Sequence, residues 1–284
     1  MGWCRARRLH SVAPVSHLTS GLHATNFGSP SGVTSQDKDV LRLWHISFYF
    51  AAPIAVIVAG LVLWCVFRYR AKPGRVPSQT QYHIPLEIAY TVAPLIIVAV
   101  LFGYMYQAEN RIDKVSKNPA VAIEVDGFQW GWRFDYSMVT INGQQTTPKF
   151  QEVGSVANEP SINDESDLPT LYLPEGENVQ FTLKSLDVIH SFYIPETLFK
   201  RDLIPGVNNV VDMTFVKGGH FVGECTQFCG TYHPFMRFNV QVMPMAQFNA
   251  WVQQQTPGEV YYAGKAAGAG TPSGSFGSSG GAGS

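Results

Sequence analysis

The sequence predicts two membrane-spanning helices followed by an all-β domain outside the membrane. Two long stretches near the N-terminus hold no Asp, Glu, Lys or Arg. From about Ala120 the pattern changes to short runs alternating apolar and polar residues. The charge divides the same way. The chain has 284 residues, 20 Lys+Arg and 21 Asp+Glu, a net of −1, and a mean hydropathy of zero. These averages conceal two unlike halves: residues 1–106 carry nine Lys/Arg and three Asp/Glu, while residues 107–284 carry eleven and eighteen. Charged residues make up 14% and aromatics 13%, against about 25% charged in ordinary domains. That composition excludes general disorder and a chain-wide basic nucleic-acid binder. Four cysteines are too few for a disulfide scaffold.

Taken in order, residues 1–36 begin with Arg5, Arg7 and Arg8, which look like the start of a signal peptide. The apolar stretch that should follow is missing, so the segment is at most a degenerate signal. Residues 37–115 are expected to form the membrane hairpin, with spans of about 43–67 and 86–107. The first charge-free run, LWHISFYFAAPIAVIVAGLVLWCVF, has 25 residues; the second, IAYTVAPLIIVAVLFGYMYQA, has 21. About 20 apolar residues cross the hydrocarbon core, and Trp and Tyr near the ends suit the interfaces. Pro53 and Pro94 are tolerated in such helices. The alternative is a pair of buried helices in a soluble protein, which two charge-free spans around a basic loop disfavour. That loop carries Arg68, Arg70, Lys72 and Arg75, so loop 68–85 is expected on the cytoplasmic side of a cell membrane and the rest of the chain on the other.

Residues 116–255 read as a β domain. Runs such as VAIEVDGF, NVQFTLKS and MRFNVQVM, punctuated by Asn142-Gly143, Pro174-Glu175-Gly176, Pro205-Gly206 and Gly218-Gly219, suggest a sandwich or barrel. Residues 142–169 are polar and acidic and are expected as a surface insertion; Ala246–Gln255 is expected as a short terminal helix. Residues 256–284, Gly/Ser-rich from Gly264, are expected as a flexible tail.

One segment carries the chemistry: Cys225-Thr-Gln227-Phe-Cys229-Gly-Thr-Tyr-His233-Pro-Phe-Met236, with His190 upstream in Asp187-Val-Ile-His190. Soft thiolate and thioether donors favour copper. Two Cys, two His and one Met exceed the needs of a single blue-copper ion, while two bridging thiolates could serve two coppers. A disulfide and a structural zinc site remain as alternatives on residue types alone, although neither uses Met236.

These residues, in this order, resemble subunit II of the haem–copper cytochrome c oxidases. The resemblance covers about Leu43–Gln254. It is carried by Leu86-Glu87-Ile-Ala-Tyr-Thr-Val-Ala-Pro94, Gln129-Trp130-Gly-Trp132, Ser185-Leu-Asp187-Val-Ile-His190-Ser-Phe, Asp202-Leu-Ile-Pro205-Gly206 and the copper loop. It implies a cupredoxin-like Greek-key barrel and a binuclear CuA centre. By position, Cys225 and Cys229 resemble the bridging thiolates, and His190 and His233 the imidazole ligands. Met236 and the backbone carbonyl of Gln227 resemble the weak axial ligands. Trp130 resembles the residue where electrons enter, with core packing as its plain alternative. Glu87 resembles the carboxylate at the mouth of a proton pathway, or merely ends a span. The family usually carries Glu where Gln227 stands; a neutral amide is a poorer ligand for a hard cation, which puts in doubt the magnesium that the resemblance would place at the interface with subunit I.

The resemblance implies an aa3-like bacterial oxidase in the plasma membrane, passing electrons to haem in subunit I for oxygen reduction coupled to proton pumping, with subunits I and III as partners. The sequence holds no Cys-x-x-Cys-His haem motif, so the donor is expected to be a separate cytochrome c or a cytochrome c domain of a bc complex. Asp126, Asp135, Asp187 and Glu224 are candidate docking acids. A membrane-anchored copper-binding or chaperone protein is the alternative; it would need neither the Trp130 run nor the Glu87 span motif.

Overall fold

A computed structural model describes residues 28–70, 73–74, 79, 81–141, 143–155 and 168–262. The expected signal-like stretch 1–27, Lys72 and Arg75 of the basic loop, residues 156–167 of the expected insertion, and the tail from 263 lie outside these residues.

Two long helices come first, α1 (Asp37–Arg68) and α2 (Ile84–Ile112). Each runs one to two turns beyond the charge-free span at the end nearest the β domain, where polar residues take over. Their apolar windows are entirely unburied, which water would penalise and a bilayer would not. The polar ends hold the hairpin together: Arg111 pairs with Asp39 at 2.8 Å, and the Arg42 guanidinium sits over the Tyr104 ring. At the loop end, His83 caps α2. Its Nδ1 accepts from the Leu86 N–H, while Glu87 accepts from the His83 N–H at 3.0 Å. This reciprocal pattern satisfies N–H groups that the first helical turn leaves free.

The rest is a two-sheet β domain. One sheet contains β1 (Val121–Phe128), β2 (Gly131–Ile141), β3 (Gln144–Thr146), β4 (Gln151–Ser155), β6 (Asn178–Ser185), β9 (Asn209–Thr214) and β12 (Val260–Tyr262). The other, in spatial order, runs β5 (Thr170–Glu175), β11 (Arg237–Pro244), β10 (Gly219–Cys225), β7 (His190–Ile194) and β8 (Phe199–Leu203). β1 pairs parallel with β6, and β11 parallel with β5. Such long-range pairings give the cupredoxin-like arrangement. Alternating burial along β6 (Val179, Phe181 and Leu183 in) shows why the sequence alternates: successive strand residues face opposite sides. Between the sheets Trp132, Phe134, Phe192 and Phe238 interlock, with Trp132–Phe238 and Phe192–Phe238 centroids both 5.1 Å apart. Each fully buried Phe contributes roughly 1.5–3 kcal/mol.

Three sequence expectations need correction. The stretch 142–169 is not simply an insertion, because β3 and β4 within it both pair with β2. The tail expected from residue 256 still contains β12, paired with β4; Tyr261 packs on Phe150 there, so aromatic burial extends the fold past the Pro257-Gly258 turn. The end of segment 1–36 belongs to the β domain. Thr34 bridges Phe215, Val216 N–H donates to the Val33 carbonyl, and Val33 is buried in the core. Asp37 fastens this strap, accepting from the Val33 and Thr34 N–H groups at 2.5 and 2.7 Å. The terminal helix forms as α3 (Met245–Gln254), burying Phe248 and Val252.

Both polar helix ends lie beside the β domain: Arg201 pairs with Asp113, and Ser116 N–H donates to the buried Asp212. The strap and the β domain therefore share one end of the helix hairpin, and Arg68 of α1 and Ile84 of α2 stand at the other.

Candidate metal centre

Three adjacent strands build the site. β10 ends at Cys225 and β11 begins at Arg237, so the eleven-residue connection between them must turn sharply. It closes on itself through Cys225 N–H to the Met236 carbonyl at 3.0 Å. β7 pairs with β10 so that Phe192 stands opposite Cys225. His190, at the start of β7, thereby lies beside the loop. Gly127 makes room for it: a β-carbon there would come within 3.2 Å of the His190 ring.

The donors expected from the sequence converge. The Sγ atoms of Cys225 and Cys229 lie 3.8 Å apart, far beyond the ~2.05 Å of a disulfide; the thiols are free. His190 Nδ1 is 4.0 Å from the Cys225 sulfur, and His233 Nδ1 is 3.5 Å from the Cys229 sulfur. Met236 Sδ is 3.8 Å from Cys229, and the Gln227 carbonyl is 3.2 Å from Cys225. His190, Cys225 and Cys229 offer ligand atoms all within 4.8 Å of one another. His233 and Met236 join through their contacts with the Cys229 sulfur.

The electrostatics call for a cation. Burial resists ionisation of Cys225, but hydrogen bonds from His190 and the loop backbone outweigh it and pull the thiol below its usual range. Burial and the neighbouring Cys225 sulfur push Cys229 up to about 12. Two thiolates this close cannot both ionise without positive charge between them. Burial likewise disfavours charge on His190, yet Cys225 and Asp187 hold its imidazole above the ordinary value. Two sulfurs, two imidazole nitrogens, one thioether and one carbonyl exceed a four-coordinate zinc set and fit copper.

Around these donors lies a supporting shell the sequence only hinted at. Asp187 Oδ1 is 2.8 Å from His190 Nε2, and its other oxygen accepts from the Gln129 N–H at 2.7 Å. Those hydrogen bonds outweigh its partial burial and keep its carboxyl below the usual range. Gln129 Nε2 and Trp130 Nε1 both donate to the Cys229 carbonyl, at 2.8 and 3.2 Å. Trp132 is fully buried and its Nε1 donates to the Met236 carbonyl, so it is core and also braces the loop. The sequence offers Asp187 only as a candidate docking acid and Gln129 only within the Trp130 run, and neither position announces these contacts.

Other expected residues fall elsewhere. Glu87 stands at the opposite end of α2, tied to His83. Asp126 is not a docking acid: it is buried and paired with Arg133 at 2.5 Å. Asp135 accepts from Gln151, and Glu224 faces Arg237 across the β10–β11 ladder. The Gln227 side chain is exposed.

Comparison with known proteins gives the family. Residues 121–243 match the family described as cytochrome c oxidase subunit II, periplasmic domain, and residues 23–106 its transmembrane domain. A probable cytochrome c oxidase subunit 2 of Nocardia farcinica is 32% identical, aligned over 90% of this chain and 82% of its own length. A counterpart from Streptomyces avermitilis is 38% identical over 76% of this chain and 75% of its own. The solved periplasmic domain of subunit II of cytochrome oxidase from Bradyrhizobium japonicum is 27% identical, with a TM-score of 0.40, covering 49% of this chain and 95% of that one. Matched through both its helix hairpin and its β domain, and at 32% and 38% identity to relatives covered over 82% and 75% of their length, the chain belongs to the cytochrome c oxidase subunit II family.

Proposed function

We propose that this chain is the electron-accepting subunit of a haem–copper cytochrome c oxidase and holds a binuclear CuA centre. The observation that carries the proposal is the set of six donors, in which four lie around two unbonded sulfurs 3.8 Å apart. When bound, the coppers would supply one-electron redox chemistry between a cytochrome c and the haem of subunit I, where oxygen is reduced and protons are pumped. Cys225, Cys229, His190 and His233 would hold the metals as strong donors, with the Met236 thioether and the Gln227 carbonyl as weak ones. Such a site suits electron transfer because the protein around it is already in place. Asp187 fixes the His190 ring, Trp132 holds the Met236 carbonyl, and the sulfurs are buried from water.

Trp130 is the proposed point of uptake, since its indole is half-exposed and hydrogen-bonded to the Cys229 carbonyl. The acidic balance of residues 107–284 suits a donor with a basic face, either a cytochrome c or a cytochrome c domain of a bc complex. The basic loop between the helices favours a cytoplasmic turn, which leaves the β domain on the extracytoplasmic side of the plasma membrane. Subunits I and III are the proposed membrane partners. Glu87 is the proposed mouth of a proton pathway on the cytoplasmic side. Gln227 supplies its carbonyl to copper, while its amide is a poor magnesium ligand.

The test is copper stoichiometry and electron paramagnetic resonance of the purified oxidase, together with Trp130→Ala. Two coppers per chain, a mixed-valence signal, and slowed uptake at unchanged copper content are expected. One copper per chain refutes the binuclear centre; unchanged turnover in Trp130→Ala favours a copper-binding protein over an electron acceptor.

A further inference from the structure

The copper loop contributes a side chain to the Trp130 site that none of the roles above uses. The Trp130 indole is bounded by Gly230, where a β-carbon would come within 2.9 Å of indole Cζ2. Its Nε1 is held by the Cys229 carbonyl at 3.2 Å. Against it stands the ring of Tyr232, edge-to-face, with centroids 5.0 Å apart and planes at 89°. Tyr232 is bonded directly to His233 in the chain. Its carbonyl accepts from the Phe235 N–H at 3.0 Å, and its ring faces that of Phe235. The residue is 37% exposed.

A half-exposed indole held by one hydrogen bond keeps torsional freedom, and an edge-to-face partner removes part of it. Electron transfer between a docked protein and a buried centre depends steeply on the distance and orientation of the groups between them. Fixing the indole therefore acts on the rate without acting on the metal. We infer that Tyr232 is a positioning residue for electron uptake: its ring braces the Trp130 indole on the Cys229 carbonyl, and the two rings together form the platform offered to the donor's haem edge. This rests on the reading of Trp130 as the point of uptake. In the step served, the donor haem is oxidised by one electron and the copper site is reduced by one; no bond is made or broken. Tyr232 neither loses a proton nor changes oxidation state, so a ring without the hydroxyl suffices.

The test uses the intact oxidase, carrying Tyr232→Leu, Tyr232→Phe, Trp130→Ala or the Tyr232→Leu/Trp130→Ala pair, mixed rapidly with a reduced basic cytochrome c. Copper content and the absorption spectrum are recorded for each variant. Tyr232→Leu is expected to lower the bimolecular rate of reduction about three- to tenfold, in line with the loss of one aromatic pair, with copper content and spectrum unchanged. Tyr232→Phe is expected to restore the wild-type rate, and Tyr232→Leu to add nothing in the Trp130→Ala background. Wild-type uptake in Tyr232→Leu, failure of Phe to restore it, a further drop in the double variant, or an altered copper spectrum would each overturn the proposal. Should Tyr232→Leu not assemble, Tyr232→Met carries the same comparison. Trp130→Ala separates the two readings. A wild-type rate there removes the uptake reading itself, whereas a slow Trp130→Ala beside a fast Tyr232→Leu removes only the brace.

Discussion

The carboxylate of Asp187 lies 2.8 Å from Nε2 of His190 and, through its other oxygen, 2.7 Å from the backbone nitrogen of Gln129. One side chain thus connects the imidazole facing Cys225 with the turn that presents Trp130. Because Nε2 is engaged by the carboxylate, Nδ1 is left as the nitrogen that faces the metal position.

Asp187→Asn keeps the shape and removes the charge. Loss of such a partner to a metal-ligating histidine weakens metal affinity about 10- to 100-fold. Faster copper loss to a chelator than in the wild type is expected, with an unchanged circular dichroism spectrum. Equal retention of copper would show that the His190 ring is held by packing alone.

Gln227 separates backbone from side-chain ligation. Gln227→Ala is expected to leave copper content and absorption unchanged, because the carbonyl 3.2 Å from Cys225 remains. Gln227→Glu is expected to gain affinity for a divalent hard cation, read by manganese electron paramagnetic resonance of the intact oxidase. A loss of copper in Gln227→Ala would mean that the side chain shapes the loop.

Glu152 introduces a pH dependence distant from copper. Burial pushes its carboxyl from 4.5 up to about 7, beside Tyr136 and Tyr172, whose hydroxyls burial also raises. The folded state therefore holds a proton that the unfolded state releases near pH 4.5. Its contribution to stability is complete below pH 4.5 and is lost as pH rises through about 7. The melting temperature is expected to fall between pH 5 and 7.5, and Glu152→Gln to flatten that slope. An identical slope in Glu152→Gln would place the dependence on another group.

The strap offers a stability prediction. Asp37→Ala leaves the buried Val33 and Thr34 N–H groups without their acceptor, a loss of about 1–3 kcal/mol. Proteolysis within residues 28–36 is expected to accelerate while the copper spectrum stays the same. Unchanged cleavage would show that the Thr34–Phe215 bridge suffices.

Much of this was legible in residue order. The spans could be read because a bilayer demands about 20 uncharged residues in a row, and Leu43–Phe67 and Ile88–Ala108 meet that demand locally. The copper donors could be read because four side-chain donors fall within twelve residues of a single loop. The docking acids could not. Asp126 and Asp187 are alike in sequence, yet one is buried against Arg133 and the other faces His190. Strands β4 and β12 were hidden for a similar reason: their pairing partners are distant, and neither run is apolar enough to announce itself.

The sequence by itself determined the membrane hairpin, the β character of the second half and the identity of the donors, because each is written in local composition or short spacing. Only the tertiary structure decided that the two thiols stay unbonded, that the strap at Val33 belongs to the β domain, and that Gln129 and Trp130 meet the copper loop, Trp130 against its Tyr232. Those relationships join residues up to about 180 positions apart. They are set by which strands pair and how the two sheets pack, and no local pattern encodes that.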